Sequence, residues 1–339
     1  MAWIVSDRLR DVAVSVFHLL LMSSKTAYSP GPSPSPGPSP GASSTSGYFG
    51  GGYQPWPSGT VSNIERMIFS TDTATAVSTG GKLSLARFYL AASGTSTDGW
   101  HAGGRRSELG GGSTIDRIIF SSDSSNAIAK GPLSSNRYGS AGSGNATDAW
   151  FSGGVVSYPF QASSTNRMIF SSDTATAVAK GPLSSAKYYL ASSGNSTDTW
   201  VGGGHQSSLS IVDRIIFSTD TAAAVTKGNL SLGRSKLTSF SDYSSSAWCA
   251  GGTGYYGRQS ITDRIIFATD TGTAVAKGKL ATGNIDPGSV SNSTDGWVSG
   301  GQNGPLLSTI QRMIFASDTV NLVAKGPMSV SKRFSPGAP

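Results

Sequence analysis

An all-β chain built from six sheet modules is what three features of this 339-residue sequence predict. A motif of the form R-[MI]-I-F-[SA]-[ST]-D occurs six times, starting at Arg66, Arg117, Arg167, Arg214, Arg264 and Arg312, in steps of 51, 50, 47, 50 and 48 residues. A double glycine precedes every copy, as at Gly103-Gly104 and Gly203-Gly204. The composition, with 44 glycines and 13% charged residues, suits tight turns and sheets. Self-similarity at 40 to 50 residues, with several short strand-like runs per unit, marks a β-propeller in which each unit is one blade.

Each unit reads as four strands, a to d. Strand a is Ala186 to Ser193 (AKYYLASS), ending at Gly194-Asn195, a pair suited to the positive φ angles of a tight hairpin. Strand b is the Trp200-Val-Gly-Gly-Gly204 run. Strand c is Arg214 to Phe217, where alternation sets Ile215 and Phe217 on one face and Arg214 and Ile216 on the other, so neighbouring blades would cover both. The Asp-Thr pair that follows, as at Asp220-Thr221, reads as a turn in which the Asp side chain folds back on backbone N–H groups. Strand d runs through A-V-x-K-G, as in Ala177 to Gly181.

Strand counting predicts how the ends meet. The first strand b, Tyr48 to Gly52, has no strand a of normal length before it, and after Lys325-Gly-Pro-Met-Ser329 the chain begins a strand a with no strand b to follow. A ring that hides its sheet edges would join these halves, giving six four-stranded blades closed by a C-terminal inner strand in the first blade. Pro336 is tolerable there only at an edge.

The order of double glycine, hydrophobic strand ending in Asp-Thr, further strand, Leu-Ser-x-x-Arg/Lys segment and aromatic is similar to kelch repeats, the blades of galactose-oxidase-like propellers. The likeness covers Tyr48 to the C-terminus. The strings Y-F-G-G-G at Tyr48 to Gly52, D-T-A-T-A at Asp72 to Ala76 and Asp173 to Ala177, and K-G-P-L-S-S at Lys130 to Ser135 and Lys180 to Ser185 resemble repeat proteins among the virion structural proteins of tailed bacteriophages, cyanophages in particular. The copper enzymes of the kelch class use a Cys, tyrosines and a pair of histidines; this chain lacks the histidine pair, so the resemblance does not bring that activity with it.

Three regions follow from these patterns: an apolar docking segment at 1–28, a Pro/Gly/Ser-rich spacer at 29–46 and the propeller at 47–339. The spacer (SPGPSPSPGPSPG from Ser29) should be extended and semi-rigid. The apolar run Val12 to Met22 is too short to span a bilayer. Asp7, Asp11 and Lys25 spoil a signal peptide, though an uncleaved signal sequence stays open. As an anchor, helix or strand, the segment would dock Trp3, Val12, Val14, Val16, Phe17 and Leu20 on a partner.

The net charge of +7 could suggest nucleic acid, but sixteen basic residues occupy repeated positions: the six strand-c arginines, five Lys-Gly lysines, and Arg87, Arg137, Lys187, Arg234 and Lys332. Charge spread by symmetry is not a one-sided phosphate stripe, so no nucleic-acid partner is expected. The single Cys249 excludes an intrachain disulfide and reads as a small buried apolar residue.

Motifs for chemistry are scarce. The three histidines, His18, His101 and His205, have no paired ligands at metal spacing, so neither metal nor cofactor is expected. The Asp of each Thr-Asp-x-Trp string reads as a turn residue rather than an acid catalyst, and Trp100, Trp150, Trp200, Trp248 and Trp297 read as packing residues. The sequons at Asn145, Asn195 and Asn292 fall on the a–b turn, where Asn is expected for its φ angle.

What varies is the b–c connection, 13, 12, 12, 9, 11 and 10 residues long in chain order. It carries Tyr53 and Trp56, then Arg105 and Arg106, Tyr158 and Phe160, His205 and Gln206, Tyr255 and Tyr256, and finally Gln302 and Asn303. On a propeller these loops share a face with the d–a turns and would form a rim suited to sugar stacking or protein docking. Unselected surface drift would give the same variation. Two functions stay open. One is a non-enzymatic structural protein in a tailed-phage virion, a fibre-like tail or capsid appendage, bound to other virion proteins through its N-terminus and meeting host-surface glycans or neighbouring subunits. The other is a secreted or cell-surface, lectin-like propeller outside any virion. No enzyme is expected, because no nucleophile, base and orienting group can be placed together.

Overall fold

A computed structural model describes residues 43–339 except Trp56, 107–109 and 206–208. The docking residues Trp3, Val12, Val14, Val16, Phe17 and Leu20, together with Trp56, lie outside the described residues. The described chain is all-β, formed of four-stranded antiparallel sheets consistent with a β-propeller.

Six such sheets occur among the described residues. Sheet 4 shows the plan: Ala191–Gly194 (a), Asp198–Gly202 (b), Val212–Ile216 (c) and Val225–Thr226 (d) pair in chain order. Sheets 2, 3, 5 and 6 repeat it, with strands b at Asp98–Ala102, Asp148–Ser152, Ser246–Ala250 and Asp295–Ser299. Sheet 1 takes b, c and d from Ser46–Tyr53, Thr60–Ile68 and Val77–Lys82. Its strand a is Gly337–Ala338, with Tyr48 opposite Ala338 and Phe49 opposite Gly337.

The repeat dictates the register. Each b-strand Trp lies directly across from the strand-c Arg, as Trp200 from Arg214, and the guanidinium sits 5.3 to 5.7 Å from the ring centroid in all five cases. Strand c stops at Ile216, where Phe217–Thr219 turn into a single 3-10 turn capped by Asp220. The double glycine then leaves strand b with both residues left-handed, φ +69° and +120° at Gly203 and Gly204, a path closed to side chains with a Cβ.

The core lies between sheets. One buried cluster joins Trp200, Val212 and Leu230 of sheet 4 to Leu237, Cys249, Ile265 and Phe267 of sheet 5; another joins Phe49, Met67 and Phe69 of sheet 1 to Val290, Trp297 and Met328 of sheet 6. Each Trp stacks on the Phe of the following sheet at 3.8 to 4.2 Å, and Trp297 of sheet 6 stacks on Phe69 of sheet 1. Such stacks add about 0.5–1.5 kcal/mol to the burial itself.

Three local expectations are corrected. The Asp of the Asp-Thr pair does not fold back on its own turn. Asp270 accepts a hydrogen bond from Trp200 Nε1 at 2.9 Å, pairs with Lys227 Nζ at 3.2 Å and lies 3.6 Å from Arg214 Nη1, all from the preceding sheet. A side chain that can satisfy three neighbouring donors in a dry seam gains more there than in a solvated turn. The a–b turns also depart from the φ argument, since neither Gly194 nor Asn195 has positive φ. Asn195 Oδ1 instead accepts from the N–H groups of Thr197 and Asp198, and a Cβ on Gly194 would meet the carbonyl of Asp198. Finally, strand a starts at Ala191 rather than Ala186.

The missing start of strand a is explained by a buried cation. Arg87, Arg137, Lys187, Arg234 and Lys332 are fully buried, and four pair with the acid preceding a strand-c arginine: Arg87 with Asp116, Lys187 with Asp213, Arg234 with Asp263, Lys332 with Glu65. Where the cation is replaced by Asn284, the acid is replaced by Gln311. Arg137 breaks the rule: Asn166 stands where the acid would be, Arg137 donates to the Gly153 and Ser164 carbonyls and the Ser135 hydroxyl instead, and burial pulls its guanidinium down to about 10.

Candidate functional site

Two residues after each buried cation, and after Asn284 in its place, the backbone turns left-handed. The positions are Tyr89 (φ 58°), Gly139 (64°), Tyr189 (56°), Lys236 (58°), Asp286 (60°) and Phe334 (59°). Five of the six carry side chains in a conformation costing about 1–2 kcal/mol each. Backbone hydrogen bonds link them in order: Gly139 N–H to Tyr89 O, Tyr189 to Gly139, Lys236 to Tyr189, Asp286 to Lys236 and Phe334 to Asp286, at 2.7 to 2.9 Å. Strain concentrated at equivalent positions around one feature directs attention to it.

That feature is a cavity of about 130 Å³ reached by strands a of all six sheets. Below it a further space of about 80 Å³ is lined by Ser93, Ser143, Ser193, Ser241 and Ser291. The left-handed residues stand at the upper end with unequal chemistry. On one side Tyr53, Phe88, Tyr89, Phe334, Tyr189, Tyr188 and His205 form a continuous aromatic arc, the closest centroids being Tyr89–Phe334 at 3.8 Å and Tyr89–Tyr189 at 4.5 Å. On the other side stand Lys236 and Asp286. Lys236 Nζ lies 5.3 Å from the Tyr189 ring centroid. Asp286 is only 5% exposed, and its Oδ2 has no hydrogen-bond partner. Burial pushes its carboxyl up to about 7 against the pull of Lys236 and Arg333. Burial also raises both phenols, Tyr189 to about 12.

The loop residues singled out in the sequence are placed around this opening unequally. Tyr53 is half-buried, edge-on to Phe88 and under the Arg333 guanidinium. Arg105 is half-buried, its guanidinium 5.6 Å from the Tyr138 ring centroid, while Arg106 is exposed. His205 is exposed and edge-on to Tyr188. Tyr158, Phe160, Tyr255 and Tyr256 are 82%, 70%, 88% and 83% exposed; Tyr255 and Tyr256 touch each other, but no contact joins them to the other pair. The structure therefore brings Tyr53 and His205 into one aromatic arc and leaves Tyr158, Phe160, Tyr255 and Tyr256 at loop tips.

Tyr89, Tyr189, Lys236, Asp286 and Phe334 were not singled out in the sequence. The available signal was weak: two positions after the repeated cation, or after Asn284 in its place, the residue reads Tyr, Gly, Tyr, Lys, Asp and Phe, but the residues on either side vary as well.

Other reactive groups are built into the framework. Cys249 is buried and its thiol is pushed up to about 12. His101 is buried against Gly50 and Pro336, Nε2 lying 3.3 Å from the Pro336 carbonyl oxygen, and desolvation lowers it to about 3. The Thr-Asp-x-Trp aspartates pair with strand-c arginines, as Asp198 with Arg214 at 2.9 Å. Among the described residues no cluster of His, Cys, Asp and Glu suits a metal ion, and no helix is long and apolar enough to cross a membrane. No protein-family model matches the chain, and no curated protein matches it.

Proposed function

We propose that the six sheets are the blades of one closed six-bladed propeller, and that the chain is a non-enzymatic structural protein of a tailed-phage virion. In this reading residues 1–28 attach it to other virion proteins, residues 29–46 hold it away, and the end bearing the aromatic arc meets host-surface glycans or neighbouring subunits. Ring closure is supported at each layer of the sixth-to-first junction. Trp297 Nε1 donates to Asp72 Oδ2 at 2.9 Å, Gly326 N–H donates to Asp72 O at 2.8 Å, and Gly337–Ala338 lie beside both Gly288–Ser291 and Ala91–Gly94. The phage assignment rests on the resemblance of the repeated strings.

The observation that carries a binding role is a division of labour between side chains. Of the sixteen repeated basic residues all but Arg137 form ion pairs with the framework, as Arg117 with Asp98 and Lys130 with Asp173. The connections, by contrast, leave large aromatics in solvent, and exposed aromatics beside polar groups are the chemistry of recognition surfaces.

Mass spectrometry of purified particles tests the reading. Recovery of this chain with its Met1 peptide is expected, whereas a chain found only free in the medium and starting near Tyr28 would establish the secreted lectin-like alternative. Removing everything after Lys325 should lower the melting temperature markedly by opening the ring, and an unchanged melt would refute closure.

A further inference from the structure

The cavity end holds two opposite charges that do not meet. Asp286 and Lys236 line the same space, and no ion pair joins them. Asp286 Oδ2 is buried with no donor, and no acceptor contacts Lys236 Nζ, which faces only the Tyr189 ring among the described residues. A buried carboxylate oxygen left unpaired loses its solvation without compensation, so the arrangement is unfavourable unless something bridges the gap. Relaxation into a direct pair is opposed by the backbone, since both residues are fixed left-handed by the Asp286 N–H to Lys236 O hydrogen bond.

We infer that this end of the cavity is a binding site for one pyranose ring, its vicinal hydroxyls donating to Asp286 and accepting from Lys236. Adjacent hydroxyls suit the gap because each can donate and accept. A pyranose also presents a face of C–H groups, which the apolar rings of Tyr89, Tyr189 and Phe334 can cover. The cavity, about 130 Å³ and lined by strand a of every sheet, is a socket for one small ring rather than a groove for a chain. The site would therefore take a terminal sugar. This inference rests on reading the arc-bearing end as a recognition surface, but it assigns the contact to the cavity and not to the loop tips.

Saturation-transfer NMR on the full chain with the methyl glycosides of glucose, galactose and mannose tests it, with glycine and tetrahydropyran as controls. At least one glycoside is expected to bind. Asp286→Asn and Lys236→Gln should each weaken it by about tenfold or more, while a Tyr255→Ala, Tyr256→Ala double variant should leave it unchanged. Tetrahydropyran, which has no hydroxyls, should not bind. The inference is overturned if no glycoside binds, if glycine binds better, or if Asp286→Asn binds as well as wild type. If the loop-tip variant alone loses the glycoside, the recognition end stands and the cavity site falls.

A melt of Asp286→Asn separates binding loss from misfolding. The folded carboxyl is raised to about 7 from the ordinary 3.8, so the folded chain holds the proton more tightly. Its burial therefore costs nothing extra below the ordinary value and costs most above the raised one. The variant should melt higher than wild type at pH 8 and equally at pH 3.

Discussion

Five junctions between sheets are sealed by a tryptophan, and the junction between the first and second sheets by Tyr48. At the five, an aspartate accepts the indole N–H, pairs with a lysine at 3.1 to 3.2 Å and is nearly excluded from solvent, as are Asp173, Asp220, Asp270, Asp318 and Asp72. At the sixth, Tyr48 keeps the stack, on Phe120 at 4.0 Å, but its hydroxyl turns to the Phe120 carbonyl at 3.4 Å. Asp123 keeps Arg66 at 2.8 Å, gains no lysine and is only half-buried. The same backbone thus buries a carboxylate deeply only where donors surround it, as the desolvation cost of an unpaired charge requires.

The largest expected effect is at the aromatic. Trp200→Ala should cost about 3–5 kcal/mol in a denaturant titration, by opening a cavity and stranding Asp270. Tyr48→Ala should cost less, and equal losses would show that the indole hydrogen bond contributes nothing. Next comes the acid. Asp270→Ala leaves an indole N–H and a lysine without their acceptor and should cost about 2–3 kcal/mol, whereas Asp123→Ala, at a partly solvated pair, should cost about 1 kcal/mol or less.

A second mismatch within the repeats allows a gain. Asn166 Nδ2 has no partner, while its Oδ1 already accepts from Ser134 N–H and Oγ at 2.8 Å. Asn166→Asp would keep those contacts and give Arg137 the carboxylate that its counterparts have. It should stabilise by about 1–3 kcal/mol, and a loss would mean that the pocket around Arg137 has reshaped to suit the amide.

The last effect, felt only in acid, concerns the tyrosine junction. His101 follows Trp100 where the other sheets have Phe49, Phe151, Val201, Cys249 and Val298, and it packs on Gly50 and Pro336 of the first sheet. Its folded value near 3 lies below the ordinary 6.5, so between these the unfolded chain takes up the proton and the folded chain does not. Stability should fall as pH drops below about 6.5. His101→Val should flatten that limb in melts from pH 7 to 4, and an unchanged slope would place the acid sensitivity elsewhere.

The repeat period, the double glycines and the alternation along strand c were legible, because they follow from the motif spacing and from the two-residue period of a strand. The extent of strand a was not. In Ala186 to Ser193 a fully buried Lys187 reads as a surface residue, and Tyr189 gives no sign of its left-handed backbone. Nor could the sequence show that Asp270 reaches the neighbouring sheet, since its local string is that of a turn. The cavity residues were hidden for a related reason: Lys236 and Asp286 sit about 50 positions apart and become neighbours only through the packing of successive sheets.

The belt of left-handed residues is stitched by main-chain N–H and carbonyl groups, which every amino acid but proline supplies alike. Tyrosine, glycine, lysine, aspartate and phenylalanine already occupy its equivalent positions in this one chain. Evolution, or an engineer, can therefore exchange the side chains that converge there without redrawing the scaffold, so the selectivity of that opening is free to diverge far faster than its shape.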